Sequence, residues 1–585
     1  MMKSNFNKTP FVPITGNQNC YVGWKQIGTE IKSVLDNVPR NKKVLAVECY
    51  HGVDELEILN GLEKHLGPVR IIRSSEAFKT EAEISKMVFA DVTDDRIFGR
   101  ITELGLNSYF DRGKTENLRR AIDRISNGTV LVIGIGASLL VENHDGLVYA
   151  DMARWEIQTR MRRKEVDNIG LANRETDFMR LYKQGYFVDW RICDSLKADL
   201  FGKIDFVLDT HTKNQPKMVS GETMIEGMEA ALKRPFSVVP FFDPGPWGGQ
   251  WMKKVFDLDK DKPNYAWCFN CVPEENSLLL KINDTLIEMP SINLVLYAPE
   301  KVLGKKVYER FGPEFPIRFD LLDTMQGGNL SFQVHPSTSY IKEHFNMDYT
   351  QDESYYMLDV GENALIYLGV KEGVAPQELI GDLKRAQEEN QTFDAEKYVA
   401  TFPVKKHDHI SIPAGTVHCS GKNSMVLEIS ATPYIFTFKL WDWGRLGMDG
   451  KPRPINLAHG EKNIEWNRTT QWVKGNLIDQ VEPMEEGEGW REERTGLHKS
   501  QFIETRRHWF SSKVKHSTGG TVNVLSLVEG REVLVESPDH LFEPFAVHYA
   551  ETFIVPASVE EYTIRPYGES EGLEVATLKA YVRSR

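Results

Sequence analysis

Cysteine is scarce: six in 585 residues, too few for the disulfide frameworks that hold small secreted domains together. Cys268 and Cys271 form a lone CxxC inside NYAWCFNCV, and without a second pair to complete a tetrahedral set they read as strand cysteines. Long apolar runs are missing too. TVLVIGIGASLLV at 129–141 falls short of the roughly 20 residues that a membrane span requires. The start of the chain, MMKSNFNKTPF, has no apolar signal core, so no membrane partner and a cytoplasmic location are expected. Positive charge is in deficit. A net charge of −13 argues against a nucleic-acid or anionic-membrane partner, while leaving room for a local basic pocket. Hydrophobic residues at 41% and charged residues at 26% are those of a globular protein, and a chain this long exceeds one core. About three domains are expected.

The first 235 residues alternate buried strands with helices. KKVLAVECY (42–50), RIIRSS (70–75), TVLVIGIGASLL (129–140) and IDFVLDT (204–210) are apolar runs of strand length. Helical spacing fills 22–38, the stretch after His51-Gly52, and 80–126, and RWEIQTRMRRK reads as a cation-rich helix. The pattern predicts a parallel-sheet α/β domain over 1–235. At 233–250, RPFSVVPFFDPGPWGGQWM brings a cluster of Pro and Gly, and the pattern beyond it turns all-β. SLLLKIND and IEMPSINLVLYAP are expected to join that β region. The stretch 374–399 interrupts it with helical spacing and Pro376 near the helix start. Glu- and Gly-rich residues at 484–494 read as a linker before a last β region.

The chemistry-bearing side chains gather in GNLSFQVHPSTSYIKEHFNMDYTQDESYYMLD and in HDHISIPAGTVHCSGKN. Gln333 and His335 are two apart, so on a strand both point to one face. Glu353 opens an aromatic-rich strand, and His418 follows a Pro-Ala-Gly turn in which Gly415 permits a tight bend. A lone strand histidine is most often a structural residue. Two imidazoles, a carboxylate and an amide oxygen beside turns instead form a ligand set suited to a divalent cation.

SFQVHP, DESYYMLD and SIPAGTVHCSG resemble the signature segments of type I mannose-6-phosphate isomerases, a cupin family with one zinc. The resemblance covers roughly 236–585 and implies that Gln333, His335, Glu353 and His418 bind one Zn2+. It also implies a zinc-bearing jelly-roll barrel over 236–470, with a helical insertion at 374–399. IVPAS at 554–558 echoes IPAG at 412–415 without a histidine in step, so 471–585 is expected to be a second cupin barrel lacking the metal ligands. WGGQWM is similar to the family's Trp-Gly-Gly entry segment. The N-terminal segments faintly resemble P-loop nucleoside kinases, but CYHGVDE lacks the GK[ST] that seats phosphate and Mg2+. Gly113-Lys114-Thr115 carries the letters without a preceding Gly-rich loop, and Gly134-Ile135-Gly136 is half a dinucleotide fingerprint.

The implied activity is aldose–ketose isomerisation of a sugar phosphate, mannose 6-phosphate to fructose 6-phosphate, through an enediol. Glu428 in MVLEIS falls where the family carries an acidic residue. Ser331, two before Gln333, is placed to meet phosphate or a sugar hydroxyl. In TFKLWDWGR, Lys439 stands where the family has an arginine, with Arg445 close behind; both are candidates for catalysis and for phosphate. Lysine keeps the charge but loses the bidentate fork. Gln351 replaces a lysine common in the family. These departures favour, as an alternative, a sugar-phosphate-binding or regulatory protein. An Fe(II) cupin oxygenase is also compatible with two His and one carboxylate. Nothing in the sequence fixes the oligomeric state.

Overall fold

The computed structural model describes residues 4–583 except 17, 142, 390, 432–434, 449, 451, 452 and 454. The chain divides into two compact units: Phe11–Ala231 with Pro273–Ala298, and Met1–Pro10 with Leu232–Val272 and Pro299–Arg585. Among the described residues, no helix is long and apolar enough to cross a membrane.

The first unit is a mixed, mostly parallel α/β sheet. Its seven strands lie in the order Cys20–Val22, Lys217–Ser220, Phe206–Asp209, Gly146–Asp151, Lys42–Cys49, Gly128–Gly134, Arg70–Arg73. The last five are mutually parallel, and the first two run antiparallel to their neighbours. Leu45, Val47, Leu131, Ile133 and Val148 face Ile27, Ile31 and Leu35 of helix Gly23–Asp36 and Ile58 and Leu62 of helix Glu55–Leu66. Central strands covered on both faces have no need to alternate, which is why these runs read as continuously apolar.

The boundary expected at 235 is crossed by a hairpin. Ser277–Ile282 pairs in parallel with Phe11–Ile14 and antiparallel with Thr285–Pro290, forming a three-stranded sheet that belongs to the α/β unit. Gly227 leaves room for them, since a Cβ there would lie 2.5 Å from Leu280 Cδ1. NLVLY, read as strand, is the helix Asn293–Tyr297. Short apolar runs carry no information on which sheet will take them.

The second unit contains several antiparallel sheets in a cupin-like arrangement. One pair comprises a six-stranded and a five-stranded sheet, the other a six-stranded and a four-stranded sheet. The strand order repeats. Ile317–Asp323 pairs with Ser424–Ala431, which pairs with Glu353–Val360 and it with His409–Ile412. Ile503–Phe510, Val575–Val582, Asn523–Glu529 and Thr552–Val555 repeat that sequence of pairings. The register Gln333↔His418 corresponds to His516↔Tyr562, and Asn523 opens the strand equivalent to the one that Glu353 opens.

Helices Pro376–Glu388, with proline at its start, and Ala395–Tyr398 fill the insertion read at 374–399. Cys268 and Cys271 are buried strand residues that form no disulfide. The linker expected at 484–494 is instead a β-hairpin of Glu482–Gly487 and Trp490–Arg494. Gly489, at φ 77°, sits at its turn, and its second strand pairs with Ile503–Phe510. Charged residues there concealed a strand that gains its order from the sheet edge.

Candidate metal centre

Gln333 lies in strand Phe332–Val334 and His335 one residue beyond it; His418 opens the neighbouring strand His418–Ser420 of the same sheet. Glu353 comes from the opposed sheet. The Pro-Ala-Gly turn is tied down at Gly415, whose φ is 89° and whose N–H donates to the His335 carbonyl at 2.9 Å. That bond ties the turn bearing one histidine to the strand end bearing the other.

His335, Glu353 and His418 bring one ligand atom each to within 4.8 Å of one another, all buried. Glu353 Oε1 lies 2.7 Å from His418 Nε2 and 3.1 Å from His335 Nε2, and the Gln333 side-chain nitrogen lies 3.2 Å from His418 Nε2. The outer ring nitrogens decide which atoms face inward. His418 Nδ1 lies 2.9 Å from the Thr416 carbonyl and His335 Nδ1 3.4 Å from that of Phe436. A carbonyl only accepts, so each Nδ1 carries a proton, and each Nε2 is the ring nitrogen turned toward Glu353. Two imidazole nitrogens and a carboxylate oxygen thus converge on one point. His335 Nε2 and Glu353 Oε1 are buried atoms without a hydrogen-bond partner among the described residues. Such a set fits a cation, and the group could hold a metal ion. Burial works to raise the Glu353 pKa, but His335 and His418 draw it well below the ordinary carboxylate range.

Behind Glu353, Gln351 donates to Glu353 Oε2 at 3.1 Å and to Glu428 Oε1 at 3.4 Å. Glu428 Oε1 also accepts from Arg318 Nη2 and Ser430 Oγ, both at 2.9 Å. Burial pushes Glu428 up to about 8, with Arg318 opposing and Glu353 reinforcing. Arg318 pairs with Asp320 as well. Neither had been singled out in the sequence, although two charged residues two apart within the otherwise apolar IRFDLLD were the visible signal.

A second group surrounds Asp442. Ser331 Oγ donates to Asp442 Oδ1 at 2.9 Å, Arg445 pairs with the same oxygen, and Arg453 Nη1 lies 2.8 Å from Oδ2 and 3.2 Å from Ser331 Oγ. Ser331 and Arg445 are thus engaged with Asp442, and Arg453 is the addition that sequence reasoning missed. Its neighbours in the KPRP segment lie outside the described residues. Lys439 stands across from Gln333. Burial lowers its pKa to about 8, helped by Arg453 and Arg445 and opposed by Asp442.

Residues 23–233 match a family model described as a domain of unknown function (DUF8485). Elsewhere the chain is distantly similar to mannose-6-phosphate isomerases. It is 30% identical over 154 residues to mannose-6-phosphate isomerase ManA of Bacillus subtilis (strain 168), across 26% of this chain and 45% of that protein. It is 24% identical over 327 residues to the mannose-6-phosphate isomerase of Streptococcus mutans serotype c, across 54% of this chain and 90% of that protein. The crystal structure of the Bacillus subtilis mannose 6-phosphate isomerase matches with a TM-score of 0.45 at 20% identity, covering 60% of this chain and 99% of that one. The chain thus spans under half the length of the first of these relatives.

Proposed function

We propose that this protein is a zinc-dependent aldose–ketose isomerase that interconverts mannose 6-phosphate and fructose 6-phosphate. The observation that carries this reading is the convergence of His335 Nε2, His418 Nε2 and Glu353 Oε1, three buried ligand-type atoms within 4.8 Å of one another. The relatives whose names state that activity support the choice of substrate.

Gln333, His335, Glu353 and His418 would hold the zinc, which when bound would polarise the carbonyl and hydroxyl oxygens of the sugar. The remaining work falls to this chain's side chains. Isomerisation moves one proton between adjacent carbons and a second between the adjacent oxygens. Glu428, near neutrality at about 8, is suited to accept and return a proton at working pH. Its Oε1 is held by Arg318, Ser430 and Gln351, so the other oxygen is the one offered to substrate. A sugar phosphate carries nearly two negative charges, and Lys439, Arg445 and Arg453 gather positive charge beside Gln333 to receive it. Asp442 holds the two arginines in place and keeps their repulsion in check.

The test is turnover. The full chain loaded with zinc should convert mannose 6-phosphate to fructose 6-phosphate in a coupled assay, with one zinc per chain by elemental analysis. Zinc without turnover on either phosphate, and with saturable sugar-phosphate binding, would move the protein to the binding or regulatory reading that Gln351 favours.

A further inference from the structure

The α/β unit contains a cavity of about 1260 Å3 at the carboxyl ends of its parallel strands. The connection leaving Lys42–Cys49 runs to the Arg70–Arg73 edge, and the one leaving Gly128–Gly134 crosses to Gly146–Asp151 on the other side. Open α/β sheets form their ligand crevices where the direction of winding reverses in this way. At that point three strand ends converge. Gly134 adopts φ 122°, and a Cβ there would lie 2.5 Å from Ser74 Oγ and 2.8 Å from Glu55 Oε1. A hydroxyl and a carboxylate therefore meet over one glycine. Ser74 is only 1% exposed, yet its hydroxyl lines the cavity. Neither it nor the Glu55 carboxylate has a side-chain hydrogen bond among the described residues. Burial raises Glu55 to about 7, with Arg73 opposing, so at neutral pH the group can accept or donate.

The helix that follows does not offer an anion seat. Asp54 already caps it, accepting from Leu56 N at 3.0 Å and Glu57 N at 3.1 Å, and Glu55 and Glu57 add negative charge to its first turn. Cations on the far wall are committed: Arg163 to Glu156 and Glu165, and Arg174 to Asp167. Arg73 and Lys79, on the same lip as Ser74, have no carboxylate within ion-pairing distance among the described residues. We propose that this cavity binds a phosphorylated, hydroxyl-bearing small molecule, with Glu55 and Ser74 reading its hydroxyls and Arg73 and Lys79 holding its phosphate. None of its lining residues belongs to the metal centre. Its volume admits a free sugar phosphate or a nucleoside monophosphate, which share this chemistry.

The test is titration of the full chain with ribose 5-phosphate, AMP, ribose and inorganic phosphate, read by calorimetry and by hydrogen exchange. Ribose 5-phosphate or AMP should slow amide exchange at 52–57, 73–80 and 134–136, and ribose and phosphate alone should bind at least about tenfold more weakly. Glu55→Gln and the pair Arg73→Glu with Lys79→Glu should each weaken the better probe by about tenfold or more. Whichever of the two probes binds more tightly identifies the source. Ser74→Ala serves as the second floor variant should Glu55→Gln fold poorly. Absence of protection by both phosphorylated probes at millimolar concentration would overturn the proposal. So would wild-type affinity in the charge-reversed pair, or protection confined to 331–353.

Discussion

Lys439 stands directly across from Gln333 on the neighbouring antiparallel strand, while Gln333's partner on its other side is His418. Paired residues on one face of a sheet hold their Cβ atoms roughly 5 Å apart. One strand position therefore links the candidate metal ligands to the cations around Asp442. The amine is itself tuned. Burial and the nearby Arg453 lower Lys439 to about 8, so it sheds its charge within an accessible range. KM for a sugar phosphate should rise as pH climbs through 8, approaching tenfold per unit, with kcat less affected. Lys439→Arg should abolish that alkaline limb, because guanidinium stays charged. KM profiles between pH 7 and 9.5 for both proteins decide the matter.

Removing one imidazole from the cluster has two separable consequences. His418→Ala should eliminate stoichiometric zinc by elemental analysis. It should also destabilise the protein by roughly 3–5 kcal/mol, since Glu353 would be left buried with half its compensation. Zinc should raise the melting temperature of chelator-treated wild type and leave that of His418→Ala unchanged. An equal rise in both would place the bound ion elsewhere.

Gln351 is the amide that lets two buried carboxylates face one another, donating to both Glu353 and Glu428. Gln351→Glu would add a third carboxylate and should cost about 2–4 kcal/mol in urea unfolding. Gln351→Lys supplies a cation instead, which should pull Glu428 below about 8. The pH–rate profile should then shift its Glu428-dependent limb toward acid by about one unit.

Much of this site was legible because its chemistry is local. Gln333 and His335 are two apart in sequence at the end of a strand, and PAGTVH carries its own turn, so the spacing offered candidates while the ligand set came from the family resemblance. What remained hidden came from pairings between distant segments. Arg318 reaches Glu428 only because strands Ile317–Asp323 and Ser424–Ala431 are neighbours, and Arg453 reaches Asp442 from the sequence KPRP, which has no periodicity to read. The fold shows the same division. Apolar runs announced the parallel strands, whereas the hairpin at 277–290 gave no sign that it would pair with Phe11–Ile14.

Gly415 tests whether the turn positions the histidines. At φ 89°, any side chain is strained, and a Cβ would come within 2.6 Å of Glu465 Cγ. Gly415→Ala should cost about 1–3 kcal/mol. Because its N–H holds the His335 carbonyl, zinc affinity should fall by about tenfold or more, whereas Gly373→Ala, in an open loop with φ 79°, should leave zinc binding intact. Competition with a chelator of known affinity measures both.

His409 governs part of the response to acid. It is 1% exposed, its Nε2 lies 2.9 Å from Ser354 Oγ, and burial, reinforced by Arg507, pushes its pKa down to about 3. In the unfolded chain the same ring titrates near its ordinary 6.5. Between those values the unfolded state binds a proton that the folded state refuses, so stability rises with pH across this window. The contribution is fully present above about 6.5 and is lost progressively as pH falls toward 3, with an upper bound of about 5 kcal/mol. Urea midpoints at pH 7, 5 and 4 should therefore decline steeply in wild type. His409→Gln keeps a donor toward Ser354 but cannot take up the proton, so its midpoint should start lower at pH 7 and decline less. Parallel decline in the two proteins would assign the acid sensitivity to His508, which burial also lowers to about 3, and His508→Gln would then show the flatter profile.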